Sequence, residues 1–360
     1  MRVVFRTDAS LSIGTGHVAR CLTLAGALSQ RGAEVLFVCR EHAGDSVAMI
    51  EVQGFEVHRL PARASACEAS ENPDDDHRLG TSWEVDALQT AAAIATAGGT
   101  PDWLVVDHYA LDRRWESVLR ASVGRIMAID DVADRPHDCD LLLDQNLANP
   151  LHQRYSHLVP EQASRLLGPT FALVRPEFAA HRAFALSRRN GRLDRILVSM
   201  GGTDPENDTA KAVKGITMVD SHRYAVDVVV GRSNRHQEEL LALCQSLPAA
   251  ALHVQTIHMA SLMSQAHVAI TAGGSTTWER CVVGLPGIVV IQSQNQAAIV
   301  EAVHQIGGHE SLGWSRDVAS GDYCRAIEAL TSQSLTRMSN VSASLCDGEG
   351  ASRVAEHLLS

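Results

Sequence analysis

Short, almost unbroken apolar runs alternate along this chain with longer stretches whose apolar residues recur every three or four positions. Val3–Phe5 is the first run, and it ends in Arg6-Thr7-Asp8. After a glycine loop, Val18, Cys21, Leu22, Ala25 and Leu28 keep the spacing of a helix that begins near His17, with Gly32 as its stop. Glu34–Cys39, Trp103–Val106 and Arg125–Ile129 read as further strands, the last two running into Asp107-His108-Tyr109 and Asp130-Asp131. A basic, polar stretch from His181 to Arg195 interrupts the pattern. The alternation then restarts with strands at Ile196–Met200, Tyr224–Val230, His267–Thr271 and Gly287–Ile291. Apolar strands separated by helices predict parallel sheets covered on both faces.

The class is therefore α/β, with two Rossmann-like, doubly wound domains. Boundaries are expected at residues 1–180 and 190–335, with 336–360 forming a C-terminal helix that returns to the first domain. Open parallel sheets bind ligands beyond the carboxyl ends of their strands, so two such domains are expected to face a cleft. Ala62 to Ser82, which carries Asp74-Asp75-Asp76, reads as an exposed loop.

Composition narrows the function. A chain of 360 residues exceeds one ordinary core. The formal charge of −11 argues against a basic grip on nucleic acid, yet leaves room for a phosphorylated small ligand held by backbone amides. The opening MRVVFRTDAS lacks the apolar core of a signal peptide, and no apolar run reaches the ~18 residues of a membrane span. The eight cysteines include no CxxC pair, and Cys21, Cys39 and Cys281, in apolar patterns, read as buried thiols. A cytoplasmic monomer without membrane or nucleic-acid partners is the expectation.

Candidate chemistry sits at the strand ends. In Ile13-Gly14-Thr15-Gly16-His17, Gly14 and Gly16 let backbone approach a ligand, and His17 falls in the first turn of the following helix. That position disfavours imidazolium, so His17 is expected to be neutral and able to act as a general base. Ala19 occupies the place of the third glycine of a dinucleotide fingerprint, and no GK[ST] follows, which excludes that motif and the P-loop. Asp107 is placed to orient His17 or a sugar hydroxyl, and Tyr109 to stack on a sugar; His108 reads equally well as a satisfied strand-end residue. Asp130-Asp131 and Asp138-Cys139-Asp140 are too short and too common to argue for a metal, and no metal or cofactor is expected.

In the second half, Gly273-Gly274-Ser275-Thr276 before a helix suits a pyrophosphate, and Glu279, one turn in, suits the hydroxyls of a ribose. Gly201-Gly202-Thr203-Asp204 is similar in kind, with Asp204 as a helix N-cap the competing role. Gln292 to Gln296 offers amides for a phosphate or sugar.

Taken together these residues resemble a family. The segments Arg6 to Ser10, Ile13 to Leu22, Asp107-His108-Tyr109, Asp130-Asp131, Asp144-Gln145-Asn146, Gly168 to Phe178, Ser199 to Pro205 and Ala272 to Glu279 are similar to the signatures of the UDP-2,4-diacetamido-2,4,6-trideoxy-β-L-altropyranose hydrolases of pseudaminic acid biosynthesis. The resemblance runs from residue 1 to about residue 300. It implies a GT-B fold, UDP held by the C-terminal domain and the sugar by the N-terminal one, and His17 as the base that activates a water to displace UDP with inversion, without metal. It implies sugar contacts from Asp8, Gly14, Gly16, Asp107, Tyr109 and Asn146. It implies UDP contacts from Gly201, Gly202, Asp204, Met259 (backbone, to uracil), Gly274, Ser275, Thr276, Glu279 and Gln296. The substrate implied is a UDP-linked diacetamido sugar. An inverting glycosyltransferase, a UDP-sugar 2-epimerase and a nucleotide-sugar-binding protein without catalysis are the rival readings.

Overall fold

The computed structural model describes residues 1–10, 13–62, 79–148, 153–202, 204–219 and 223–360. Two compact units divide the chain: residues 1–146, 150–173 and 350–360 form the first, and residues 147–149 and 174–349 the second.

The first unit is built on seven parallel strands: β1 (Arg2–Thr7), β2 (Glu34–Arg40), β3 (Glu56–Leu60), β4 (Trp103–Asp107), β5 (Arg125–Ile129), β6 (Leu141–Asp144) and β7 (Ser164–Leu167). Their spatial order is β3-β2-β1-β4-β5-β6-β7. Alternate strand residues feed two cores, because successive side chains point to opposite faces. Val3, Phe5, Phe37, Val105 and Leu143 meet the helix Gly16–Ser29 through Leu24 and Leu28 on one face. Val4, Leu36, Leu104, Ile126 and Leu142 meet Ala87 and Trp115 on the other. Burying one such side chain is worth roughly 1.5–3 kcal/mol, so the face assignment of each strand is strongly fixed.

The last helix, Gly350–Leu359, belongs to this unit: Val354, Ala355 and Leu358 are wholly buried in the first of these cores. The Trp103 indole donates to the Leu358 carbonyl at 2.9 Å. The helix Ser332–Leu345 lies in the second unit, so the return to the first begins at Gly350 rather than near residue 336.

The second unit carries six parallel strands: β8 (Arg195–Ser199), β9 (Ala225–Val230), β10 (Ala250–Val254), β11 (Val268–Ala272), β12 (Gly287–Ile291) and β13 (Glu310–Trp314), ordered β10-β9-β8-β11-β12-β13. Ile196, Val198, Val228, Ile270 and Ile288 form one face of its core with Tyr323 and Ile327.

Part of the loop expected at 62–82 is corrected. Residues 63–78 lie outside the described residues, but Leu79, Gly80 and Thr81 are buried. Leu79 joins the core beside Leu36 and Trp115, and the Ser82 hydroxyl accepts from Val85 N at the start of the helix Trp83–Thr96. Among the described residues, no helix is long and apolar enough to cross a membrane.

Candidate active site

In both sheets the strand order reverses once, between β1 and β4 in the first unit and between β8 and β11 in the second. Such a reversal opens a crevice beyond the strand ends, which is where doubly wound sheets bind ligands. The glycine loops singled out in the sequence follow β1, β8 and β11, and Asp107-His108-Tyr109 closes β4. Sheet order thus brings His17 to Asp107, and the Gly201 loop beside the Gly273 loop.

At the first crevice, Gly14, Thr15 and Gly16 are exposed and His17 is buried. Gly14 has φ +80°, a conformation that favours glycine. No side chain caps the helix that starts at Gly16. His17 Nδ1 lies 2.6 Å from Asp107 Oδ1. With Nδ1 bonded to a carboxylate, the imidazole proton sits on Nδ1 and Nε2 is the basic nitrogen.

Arg20 forks onto the same carboxylate: Nε donates to Asp107 Oδ2 and Nη2 to Oδ1, both at 2.6 Å. Its third nitrogen, Nη1, donates to Asp131 Oδ2 at 2.7 Å. Tyr109 donates to Asp131 Oδ1 at 2.8 Å, and its ring meets that of His17 edge to face at 4.6 Å between centroids. Five side chains therefore close into a ring: His17, Asp107, Arg20, Asp131 and Tyr109. Burial alone would raise the Asp107 carboxyl; the charge of Arg20 and the hydrogen bonds from Arg20 and His17 overcome it and hold Asp107 well below the usual carboxylate range.

His108 takes no part in the ring. Its Nδ1 accepts from Ala110 N at 3.1 Å, and Nε2 stands 3.7 Å from Asp8 Oδ2. Burial, outweighing the pull of Asp8, lowers it to about 4.

Asp8 is itself wholly buried, accepting from Arg6 Nη1 at 2.6 Å and Arg40 N at 2.7 Å. It ties the ends of β1 and β2 together through Oδ1. Asn146 is buried after β6, with its N–H donating to Asp144 Oδ1 at 2.9 Å. Asp130 is bound to the Tyr155 hydroxyl and to Arg135, and Asp138 and Asp140 both pair with Arg120. These contacts account for the DxD-like pattern without a ligand.

At the second crevice charges are scarcer. Gly274 has φ +119°, and a Cβ on Gly273 would lie 2.5 Å from Val300 Cγ2 and 3.1 Å from Gln296 Cβ. Gln296 is thus packed over the glycine pair, and its Oε1 accepts from Gln292 N at 3.0 Å. Ser275 is exposed and Thr276 half-buried at the start of Thr276–Val282, whose N-terminus no side chain caps. Gly201 and Gly202 are exposed, with Gly202 O accepting from Gly231 N at 3.0 Å; Thr203 lies outside the described residues.

Asp204, 1 % exposed, spends both carboxylate oxygens on the N–H groups of Asp208 and Thr209. Its side chain thus fills the N-cap role that the sequence offered beside a UDP contact. Met259 opens the helix Met259–Gln265 after the exposed His258. Glu279 Oε1 accepts from Arg175 Nε and Nη2 at 3.2 and 3.1 Å, and burial, opposed by Arg175, raises its carboxyl. Arg175 and Arg20 were not foreseen as site residues. Arg20 stands inside a recognised motif, but its partners lie 87 and 111 residues away.

Comparison with known proteins defines the class first. Residues 196–312 match the glycosyltransferase family 28 C-terminal domain. The whole chain superposes on MurG of Acinetobacter baumannii with a TM-score of 0.70 over 99 % of both chains, at 13 % identity. The chain has the GT-B fold, two Rossmann-like domains.

Among curated proteins, the chain is similar to the UDP-2,4-diacetamido-2,4,6-trideoxy-beta-L-altropyranose hydrolase of Campylobacter jejuni, 25 % identical across 76 % of this chain and 86 % of the relative. It is 30 % identical to the spore coat polysaccharide biosynthesis protein SpsG of Bacillus subtilis, over 52 % of this chain and 56 % of that protein. It is 24 % identical to the uncharacterized protein MJ1062 of Methanocaldococcus jannaschii, over 82 % of this chain and 57 % of that protein. The chain spans little more than half the length of these last two.

Proposed function

We propose that the chain is an enzyme that removes UDP from UDP-2,4-diacetamido-2,4,6-trideoxy-β-L-altropyranose, a step of pseudaminic acid biosynthesis. The observation that carries this reading is the imidazole of His17, buried at the crevice of the first unit with Nδ1 on an ionised Asp107. In this reading Nε2 takes a proton from a water. The water oxygen attacks the anomeric carbon on the face opposite the diphosphate. The C–O bond breaks, its electron pair leaves on the diphosphate oxygen, and the sugar is released with inverted configuration. Gly14 and Gly16 offer backbone to the sugar, and Tyr109 and Asn146 are assigned to it as side-chain contacts. In the second unit Gly201, Gly202, Gly274, Ser275, Thr276 and Gln296 form the cradle for the diphosphate, whose growing charge the uncapped helix start stabilises. Glu279 is assigned to the ribose and Met259 to the uracil. The mechanism uses no metal and no cofactor.

The match to a glycosyltransferase C-terminal domain favours one competitor, an inverting transferase in which an acceptor hydroxyl stands in place of the water. The deciding experiment follows the anomeric proton of the UDP-sugar by NMR in EDTA with no acceptor. Free sugar and UDP, with the inverted anomer formed first, are expected. UDP release that appears only when an acceptor alcohol is added would replace the hydrolase with the transferase.

A further inference from the structure

A base needs an unprotonated nitrogen, yet the side chains around His17 are rich in negative charge. Asp107 touches it, and Asp131 is one link further round the ring. From the helix Gly16–Ser29 comes Arg20; from the end of β4 come Asp107, His108 and Tyr109; from the loop after β5 comes Asp131. The further cations are Arg135, whose guanidinium lies 5.9 Å from the centre of the Tyr109 ring, and Arg154, which donates to the Asp131 backbone carbonyl. With Arg20 in place and His17 neutral, the ring carries one net negative charge. Without Arg20 it would carry two, and both would draw a proton onto the imidazole.

We propose that Arg20 is the positioning residue that sets the basicity of His17. Its guanidinium offsets one carboxylate, fixes Asp107 in the plane from which Oδ1 meets Nδ1, and so leaves Nε2 free to accept a proton. Three features carry this. The fork on Asp107 is two-pronged, the third nitrogen reaches the second carboxylate, and Arg20 and Asp107 are both buried. A lysine ammonium is a point charge and cannot reproduce the fork on Asp107 while also reaching Asp131. Arg20 acts through Asp107 and through its own Nη2, which stands 3.3 Å from His17 Nδ1, and is not required to touch the substrate.

The inference rests on His17 as the base, and the two can be separated. The His17 imidazole is titrated by NMR in the full-length chain, alongside the pH profile of kcat/KM for UDP release. Arg20→Met is expected to move the imidazole midpoint and the acid limb upward together by about one pH unit or more, with kcat falling more than KM rises. Arg20→Lys, which keeps the charge, should shift the midpoint less while still losing kcat. Asp131→Asn removes one negative charge at nearly constant shape and should move the midpoint downward; it carries the test if Arg20→Met does not fold. A midpoint unmoved in Arg20→Met, or not lowered in Asp131→Asn, overturns the proposal. Full turnover in His17→Asn would instead overturn the reading of His17 as base.

Discussion

The two crevices share one topology and are furnished in opposite ways. The first gathers charge: Arg20 bonds both Asp107 and Asp131 beside a single imidazole. The second offers glycines, hydroxyls and amides beside one Arg175–Glu279 pair, and its buried Asp204 is consumed in capping a helix. The difference shows that a strand-order reversal supplies a place and not a chemistry. Proton transfer needs charges whose positions are already set, whereas a diphosphate is held well by backbone N–H groups at an open helix start. The largest test of this contrast is His17→Asn, which keeps a similar shape without a basic nitrogen. It should lower kcat by ~10²–10⁴ while UDP binds as before, measured by turnover and by calorimetry with UDP. A matching loss of UDP affinity would show that the two crevices do not divide the work.

The converse variant is Gly274→Ala. At φ +119° a side chain is strained, by roughly 1–3 kcal/mol, and relief of that strain would turn the backbone away from the ligand. UDP affinity should fall by about tenfold or more, while the pH dependence of the base stays where it was. An unchanged dissociation constant for UDP would remove the glycine pair from the proposed cradle.

The smallest expected effect concerns the stability of the charged unit. Asp144 is buried beside Arg154 and Tyr155; burial outweighs the Arg154 charge and pushes its carboxyl up to about 7 from an ordinary 3.8. Because the folded value lies above the unfolded one, the folded form holds a proton that the unfolded form has lost between these pH values. The associated stability is complete below about pH 4 and is lost as pH rises through 7. Between pH 6 and 8 this amounts to about 1.4 kcal/mol. Urea denaturation of the parent should show that loss, and Asp144→Asn should lack it.

The fold was legible in most strands buried on both faces, although the short, wholly buried β6 was missed. The apolar runs of β1, β4, β11 and β12 stand out because every residue, or nearly every one, is hidden. The strands that escaped notice include the edges β3, β10 and β13, whose residues are mostly half-exposed and mix polar with apolar types, as in Glu56-Val57-His58-Arg59-Leu60. At the site, glycines and the lone histidine were readable, since a turn before a helix constrains residue type locally. Arg20 was not, because its role comes from strand order, which sets β4 beside β1 and β5 beyond it. The bond from the Arg40 N–H to Asp8 was hidden for the same reason: it arrives from the end of β2.

The last helix has a consequence for how the chain comes to be folded. Leu358 is wholly buried in a core whose other members include Val3 and Phe5, and its carbonyl takes the Trp103 indole proton. The whole second unit is therefore spliced, in the linear order of synthesis, into the middle of the first. A ribosome delivers residues 174–349 complete before it delivers the helix that finishes the first unit. The second unit can close while the first still waits for the helix Gly350–Leu359 to cover the helix Gly16–Ser29. The part of the molecule made first is thus the part completed last.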